Sequence, residues 1–132
     1  MAQSLIKNQA LDSTTRLSSK VITATRDMTA ASGDVAYTGV GFTPSSILAH
    51  YTIEGSTYGG TGFSDSSRTS SNLRADGSAV LAINADFVCS SSAAGGFQEA
   101  VIKSFDANGF TLAWTKTSSP TGTLKLSFLC FR

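Results

Sequence analysis

The sequence predicts an all-β protein: one antiparallel β-sandwich preceded by an N-terminal arm. Three observations predict it: period-two alternation of apolar and polar residues in the last third, closely spaced turn signals, and no long helical period after Val21. A length of 132 residues is usual for one domain. We therefore expect an arm over residues 1–20 and a sandwich domain over residues 21–132.

The composition agrees with this fold class. Hydrophobic residues make up 41% of the chain and charged residues 14%, whereas about 25% charged is typical of soluble proteins. Serine, threonine and glycine take the place of the missing charge. This balance favours strands with polar outer faces, many turns, and a surface that lies against other proteins.

The charge distribution argues against a nucleic-acid or membrane partner. The formal net charge is +1, and the ten Lys and Arg are scattered along the chain. No stretch approaches the roughly 18 apolar residues that cross a bilayer. The segment Met1–Asn8 lacks the apolar core of a signal peptide, so we expect folding in a cytoplasm.

Residues 1–20 are polar and contain no glycine, with one short helical turn expected near Ser4–Leu11. Terminal arms usually fray unless a contact holds them. We therefore expect the arm to contact a neighbouring subunit; the alternative is that it packs on its own domain. The large apolar residues that would make the subunit contact are Leu5, Ile6, Leu11 and Leu17.

The first half of the domain contains three predicted strands. Val21–Met28 is rich in Thr and Val, and Val35–Val40 follows a turn of small residues. The third strand, Ile47–Ile53, alternates and follows the break at Gly41–Pro44.

Residues 54–78 form a long irregular stretch, which is unusual in a compact domain. It hides a short strand near Gly60–Ser66, or it is a functional loop, or both. Aromatic side chains with polar neighbours are typical of sugar sites. The alternative is that the aromatic side chains close one end of the sandwich. The candidate glycan-binding residues are Tyr58, Phe63, Asp65 and Arg68.

Four strands are predicted after this stretch. Ala79–Val88 and Phe97–Phe105 are separated by a flexible connection over Ser90–Gly96. Phe110–Thr117 follows a tight turn in which Asn108-Gly109 is expected to supply positive φ angles. Short turns then join the last three strands, which predicts an antiparallel meander.

The final strand, Thr123–Phe131, is apolar on both faces near its end. Leu129 and Phe131 are expected to point away from the core. Such a face packs under another element or joins a subunit interface. We favour the interface, because only Arg132 follows.

No residue pattern predicts catalysis, a metal or a cofactor. His50 is the single histidine and lies in a strand; the nine carboxylates are dispersed, mostly at turns. The Gly59–Gly62 segment lacks the lysine of a phosphate loop. Cys89 and Cys130 match no metal or redox spacing, and Cys130 is expected to be a buried apolar group without a disulfide.

Two segments resemble a known group of proteins. Tyr37–Ile47, with its Gly-Phe-Thr-Pro step into an apolar strand, and Phe105–Thr123 are similar to bacteriophage tail-fibre and virion β-sandwich domains related to H-type lectins. The resemblance covers residues 35–53 and 97–132. It implies a sandwich of H-type-lectin-like or jelly-roll-like form, a homo-oligomer with a trimer favoured, and a place on the virion exterior. It assigns no sugar-contact residues.

The expected function is therefore that of a non-enzymatic virion structural protein: a capsid decoration, minor tail or small fibre component. Its partners would be other virion proteins and further copies of itself. The alternative is an adhesin module that recognises host surface glycans. A long arm favours the first, because a lectin domain does not need one.

Overall fold

The computed structural model describes residues 17–67, 70–77 and 79–132. Four of the predicted site residues, Leu5, Ile6, Leu11 and Arg68, lie outside these ranges. The described chain is all-β and forms two antiparallel sheets, which confirms the predicted sandwich. It contains no helix of the length and apolarity that a membrane span requires.

Within the described ranges, ten strands build the two sheets. They are β1 (Ser19–Asp27), β2 (Gly33–Thr38), β3 (Ser46–Ile53), β4 (Gly59–Asp65), β5 (Ser70–Asp76), β6 (Ala79–Asn84), β7 (Val88–Ser91), β8 (Phe97–Asp106), β9 (Gly109–Thr117) and β10 (Thr123–Phe131). Sheet A has the order β1-β10-β3-β4-β5-β6, and sheet B has the order β2-β9-β8-β7. Strand β1 begins inside the segment predicted as arm.

The predicted C-terminal meander is wrong at its second connection. Strands β8 and β9 pair as a hairpin, but β10 lies in sheet A between β1 and β3. The chain crosses between sheets through Ser118–Gly122, where Ser118 has a φ of 61°. Alternation shows which side chains share a face, but it does not show which strand lies alongside.

The β8–β9 hairpin also turns differently from the prediction. Gly109 has a positive φ, whereas Asn108 does not. The Asn108 side chain instead accepts a 2.7 Å hydrogen bond from the Gly41 backbone N–H. Asn108 therefore stabilises the fold by linking two loops and not by adopting a left-handed backbone conformation.

The predicted strand Ala79–Val88 is two strands. Strand β6 ends at Asn84 in sheet A, and β7 begins at Val88 in sheet B, where it also takes in part of the predicted flexible connection. Between them the Phe87 backbone N–H donates a 2.8 Å bond to the Ala100 carbonyl. The mostly apolar composition of residues 79–88 concealed this change of sheet in the sequence.

Residues 54–78 are largely regular. Strand β4 confirms the short strand expected near Gly60–Ser66, and β5 pairs with it along its length. A Cβ atom at Gly62 would lie 1.8 Å from the Phe87 carbonyl oxygen. Glycine is therefore required here because two backbones approach closely, and not because the segment is a loop.

Aromatic rings from both sheets meet in the core. Phe128 of sheet A packs edge-on against Phe110 at 4.9 Å and against Tyr37 at 5.1 Å, and it stacks with Phe87 at 6.2 Å. Cys130 is buried, as predicted; Trp114 is also buried, and both cysteines are free. The apolar core thus holds the two sheets face to face.

Candidate interaction face

The outer face of sheet A, turned away from sheet B, is the largest candidate site. Strand β10 alternates along its whole length, so Phe128 and Cys130 enter the core. Leu129 and Phe131 are half-buried and point outward, as the sequence predicted. The same alternation exposes Leu48 in β3 and Phe63 in β4.

Strand register places four outward-pointing side chains side by side. Val21 is opposite Leu129, Leu129 is opposite Leu48, and Leu48 is opposite Phe63. We call Val21, Leu129, Leu48 and Phe63 the apolar row. Val21, Leu48 and Phe63 are 57%, 42% and 58% exposed. Four strands thus present one continuous apolar strip to solvent.

A groove of about 320 Å³ runs beside one end of the apolar row. Phe63 and Phe131 line it together with Leu48, and Ser46 and Asp65 add polar groups. Phe131 is held in place through its carbonyl, which accepts a 2.7 Å bond from the Ser45 N–H. The groove therefore joins a predicted glycan residue to a predicted interface residue.

On one side of the apolar row the neighbouring positions are polar. The cross-strand line there carries Thr23, Ser127, His50 and Thr61. Further along on the same side, the Lys125 ammonium lies 3.3 Å from the Glu54 carboxylate. Hydroxyl groups, an imidazole and a paired charge therefore border this side of the apolar row.

The three candidate glycan residues that the structure describes do not all converge. Tyr58 precedes β4, is partly buried and packs against the core. Phe63 lies five residues along an extended strand, about 17 Å away at the usual rise per residue. The Asp65 carboxylate accepts bonds from the Ser67 N–H at 3.0 Å and the Ser67 hydroxyl at 2.6 Å. Of these three described residues, Phe63 and Asp65 share a groove.

A cluster that the sequence did not predict lies where sheet A meets β7. The ligand atoms of Asp86, Cys89 and Glu99 lie within 4.8 Å of one another. Burial raises the pKa of all three groups. Arg74 from β5 donates a 2.7 Å bond to the Cys89 sulfur. The guanidinium provides the positive charge that balances this cluster, so the group ties β5 to β7.

The sequence could not show this cluster because its members come from strands β5, β7 and β8 and from the connection before β7. Asp86 and Cys89 are three residues apart, but Glu99 joins them only through the β7–β8 pairing, in which Cys89 is opposite Glu99. Arg74 arrives from the other sheet. No spacing rule for metal or catalytic motifs covers such a set.

A second, shallow groove of about 410 Å³ lies over the glycines of β4. His50, Thr52, Ser56 and Leu73 contribute to it. His50 is exposed on the outer face, opposite Ser127 and Thr61. The imidazole of the single histidine therefore faces solvent.

Comparison with protein-family models, curated proteins and solved structures finds no match to this chain. The function of this protein is therefore inferred from the geometry of the outer face of sheet A.

Proposed function

We propose that this protein is a non-enzymatic structural component of a bacteriophage virion exterior, which assembles through its N-terminal arm and the outer face of sheet A. The observation that carries the proposal is the apolar row. Single exposed apolar residues are common on soluble proteins, but contiguous strips of large ones usually mark interaction sites.

The position of the arm supports a shared interface. The Arg132 backbone N–H donates a 2.9 Å bond to the Ser18 carbonyl, so the chain enters β1 beside the C-terminus. Val21, at one end of the apolar row, lies only a few residues further on. The described end of the arm, Leu17 and Ser18, therefore lies next to this face.

The chemistry of the face favours a protein partner over a small ligand. The apolar row crosses three strand spacings, about 14 Å in all. Its members offer methyl groups and aromatic surface without hydrogen-bonding groups. Protein interfaces bury such surface at their centre inside a polar rim. The hydroxyl line at Thr23 and Ser127 would form part of that rim.

Deletion of residues 2–16 tests the role of the arm. Because β1 and its bond through Ser18 are retained, we expect a folded domain with an unchanged urea midpoint. We expect its incorporation into particles to fall at least tenfold, measured by blotting purified virions. A control of full length, with Leu5, Ile6 and Leu11 changed to Ser, should show the same loss. Equal incorporation of the truncated chain would refute this role.

Glycan binding is the second candidate function, and the groove between Phe63 and Phe131 favours it. Two aromatic walls with Asp65 and Ser46 beside them resemble the mixed lining of small-ligand sites. A glycan array tests this candidate, with F63A as the binding variant and the exposed sheet B change V101A as its control. Binding that F63A abolishes and V101A retains would support it. No ligand for the wild type would remove it.

A further inference from the structure

We propose that a second copy of this chain covers the apolar row, with two sheets A packed face to face about a two-fold axis parallel to β10 and β3. The proposal rests on the assembly role above and deepens it, because it names the partner of this face. A two-fold contact also differs from the trimer that the sequence resemblance implies.

Side-chain size along the apolar row supports this axis. From β1 to β4 the row reads Val21, Leu129, Leu48, Phe63, so its smallest member and its largest member lie at opposite ends. An axis between β10 and β3 reverses the row in the second copy. Phe63 then packs on Val21, and Leu129 packs on Leu48, so each pair has a similar combined volume. An isologous contact requires such self-complementarity.

The same axis matches the flanking groups. Each cross-strand line of one copy packs on the same line of the second copy, with the order of the strands reversed. The bulky Phe131 ring therefore lies over the small Ser46 of the second copy. It places Asp65 opposite Ser19, and Lys125 opposite Thr52. Like charges are not brought together at these positions, and hydroxyl groups are available to the charged ones.

The overlap area allows a small specific interface. An axis between β10 and β3 places β1, β10, β3 and β4 of one copy over the same four strands of the other. Four strands at about 4.8 Å spacing give a width of about 19 Å, and strands of seven to nine residues give a length of about 26 Å. The overlap therefore covers about 500 Å² per partner, or about 1,000 Å² in total, which is the lower bound for a specific interface.

Light scattering coupled to gel filtration tests the contact with the purified full-length chain. We expect the wild type to have twice the 13.7 kDa chain mass. Changing Leu48 to Asp at the centre of the row should weaken association at least a hundredfold and give a monomer. V101D is the matched control, because Val101 is also 42% exposed and mid-strand but lies on sheet B. It should remain dimeric.

Disulfide trapping tests the axis. In the double variant V21C/F63C, the two thiols of one chain lie about 14 Å apart, too far for an intrachain disulfide. Mild oxidation should therefore produce a covalent dimer on a non-reducing gel. The single variants should form far less. Efficient trapping by V21C alone would place Val21 on its own copy and overturn the proposed axis.

Two results would overturn the second copy as occupant. One is a wild type that stays monomeric at concentrations up to 100-fold above a dissociation constant of about 1 μM. The other is a monomer that dimerises only after deletion of residues 2–16, which would make the arm the cover of its own face.

If a monomeric wild type still needs its arm for incorporation, this inference fails while the proposed function stands. If the dimer forms but the truncated chain incorporates equally, the arm's role fails while this inference stands.

Discussion

The Arg26 side chain in sheet A donates a 2.9 Å hydrogen bond from its Nε to the side-chain oxygen Oε1 of Gln98 in sheet B. Gln98 is fully buried, and its amide nitrogen donates to the carbonyls of Met28 at 2.9 Å and Ala30 at 2.8 Å. The Arg26 guanidinium also lies 4.3 Å above the Trp114 ring. One polar network thus closes this end of the sandwich.

The network is costly to break because its members are buried. Burial lowers the pKa of Arg26 from its ordinary value, which shows that the guanidinium is partly desolvated. Its positive charge is compensated by partners inside the protein: the Gln98 side chain, the Ala31 carbonyl at 2.9 Å and the Trp114 ring. A buried cation that loses a partner destabilises the fold strongly.

We therefore expect Gln98→Leu to lower the free energy of unfolding by about 3 kcal/mol, because two carbonyls and one guanidinium N–H lose their partner. Urea unfolding followed by Trp114 fluorescence measures this. Thr115→Leu, an exposed change on neighbouring β9, is the control and should shift stability by less than about 0.5 kcal/mol. Equal stability of the two variants would contradict a structural role for the network.

A second prediction concerns the close approach of β4 to the chain before β7. Gly62→Ala would place a methyl group against the Phe87 carbonyl, which is backbone and cannot rotate away. We expect a loss of about 3 kcal/mol in the free energy of unfolding. Thr61→Ala changes the preceding residue, which lies on the outer face, and should lower the free energy of unfolding by less than about 1 kcal/mol. Similar urea midpoints for the two variants would show that the backbones do not meet here.

A third prediction concerns alkaline pH. Burial raises the pKa of Cys130 to about 11 from 9.0, and that of Tyr51 to about 12 from 10.0. Above pH 9 the unfolded chain releases these protons while the folded chain retains them. The unfolded state then binds fewer protons, so stability falls as pH rises. The contribution of Cys130 and Tyr51 to stability should be constant below pH 9 and should decline until pH passes about 12.

Urea unfolding at pH 7, 9, 10.5 and 11.5 checks this decline. Tyr51→Phe removes one titrating group, so the variant should lose less stability than the wild type between pH 10 and 12. It should also be slightly less stable at pH 7, because the Tyr51 hydroxyl accepts a 3.3 Å bond from the Cys89 N–H. A variant with an unchanged pH profile would exclude Tyr51 as a contributor.

Sequence patterns predicted the strands in which one face is apolar and the other is polar. Strand β10 has the predicted bounds, Thr123–Phe131, because apolar and polar residues alternate along it. Strand β5, Ser70–Asp76, carried no such signal: its side chains are mostly polar, and glycine-rich β4 precedes it. Its position comes from backbone pairing with β4, which composition does not reveal.

The candidate site was predicted in part. Leu129, Phe131 and Phe63 were singled out from the sequence, although Phe63 was assigned to a sugar-binding loop and not to the face that Leu129 shares. Val21 and Leu48 were not singled out. Each belongs to the apolar row only through register with strands that are distant in the chain. The outward position of Leu48, opposite in phase to Ile47 and Ala49, was the signal that could have identified it.

The sequence by itself determined the fold class, because period-two alternation and frequent turns permit only sheets with one buried face. Tertiary structure decided the order of the strands, the crossing from β9 to β10, and the outer face on which four distant side chains form one strip. The physical reason is that alternation is a local property of the backbone, whereas strand neighbours are chosen by the packing of the whole core.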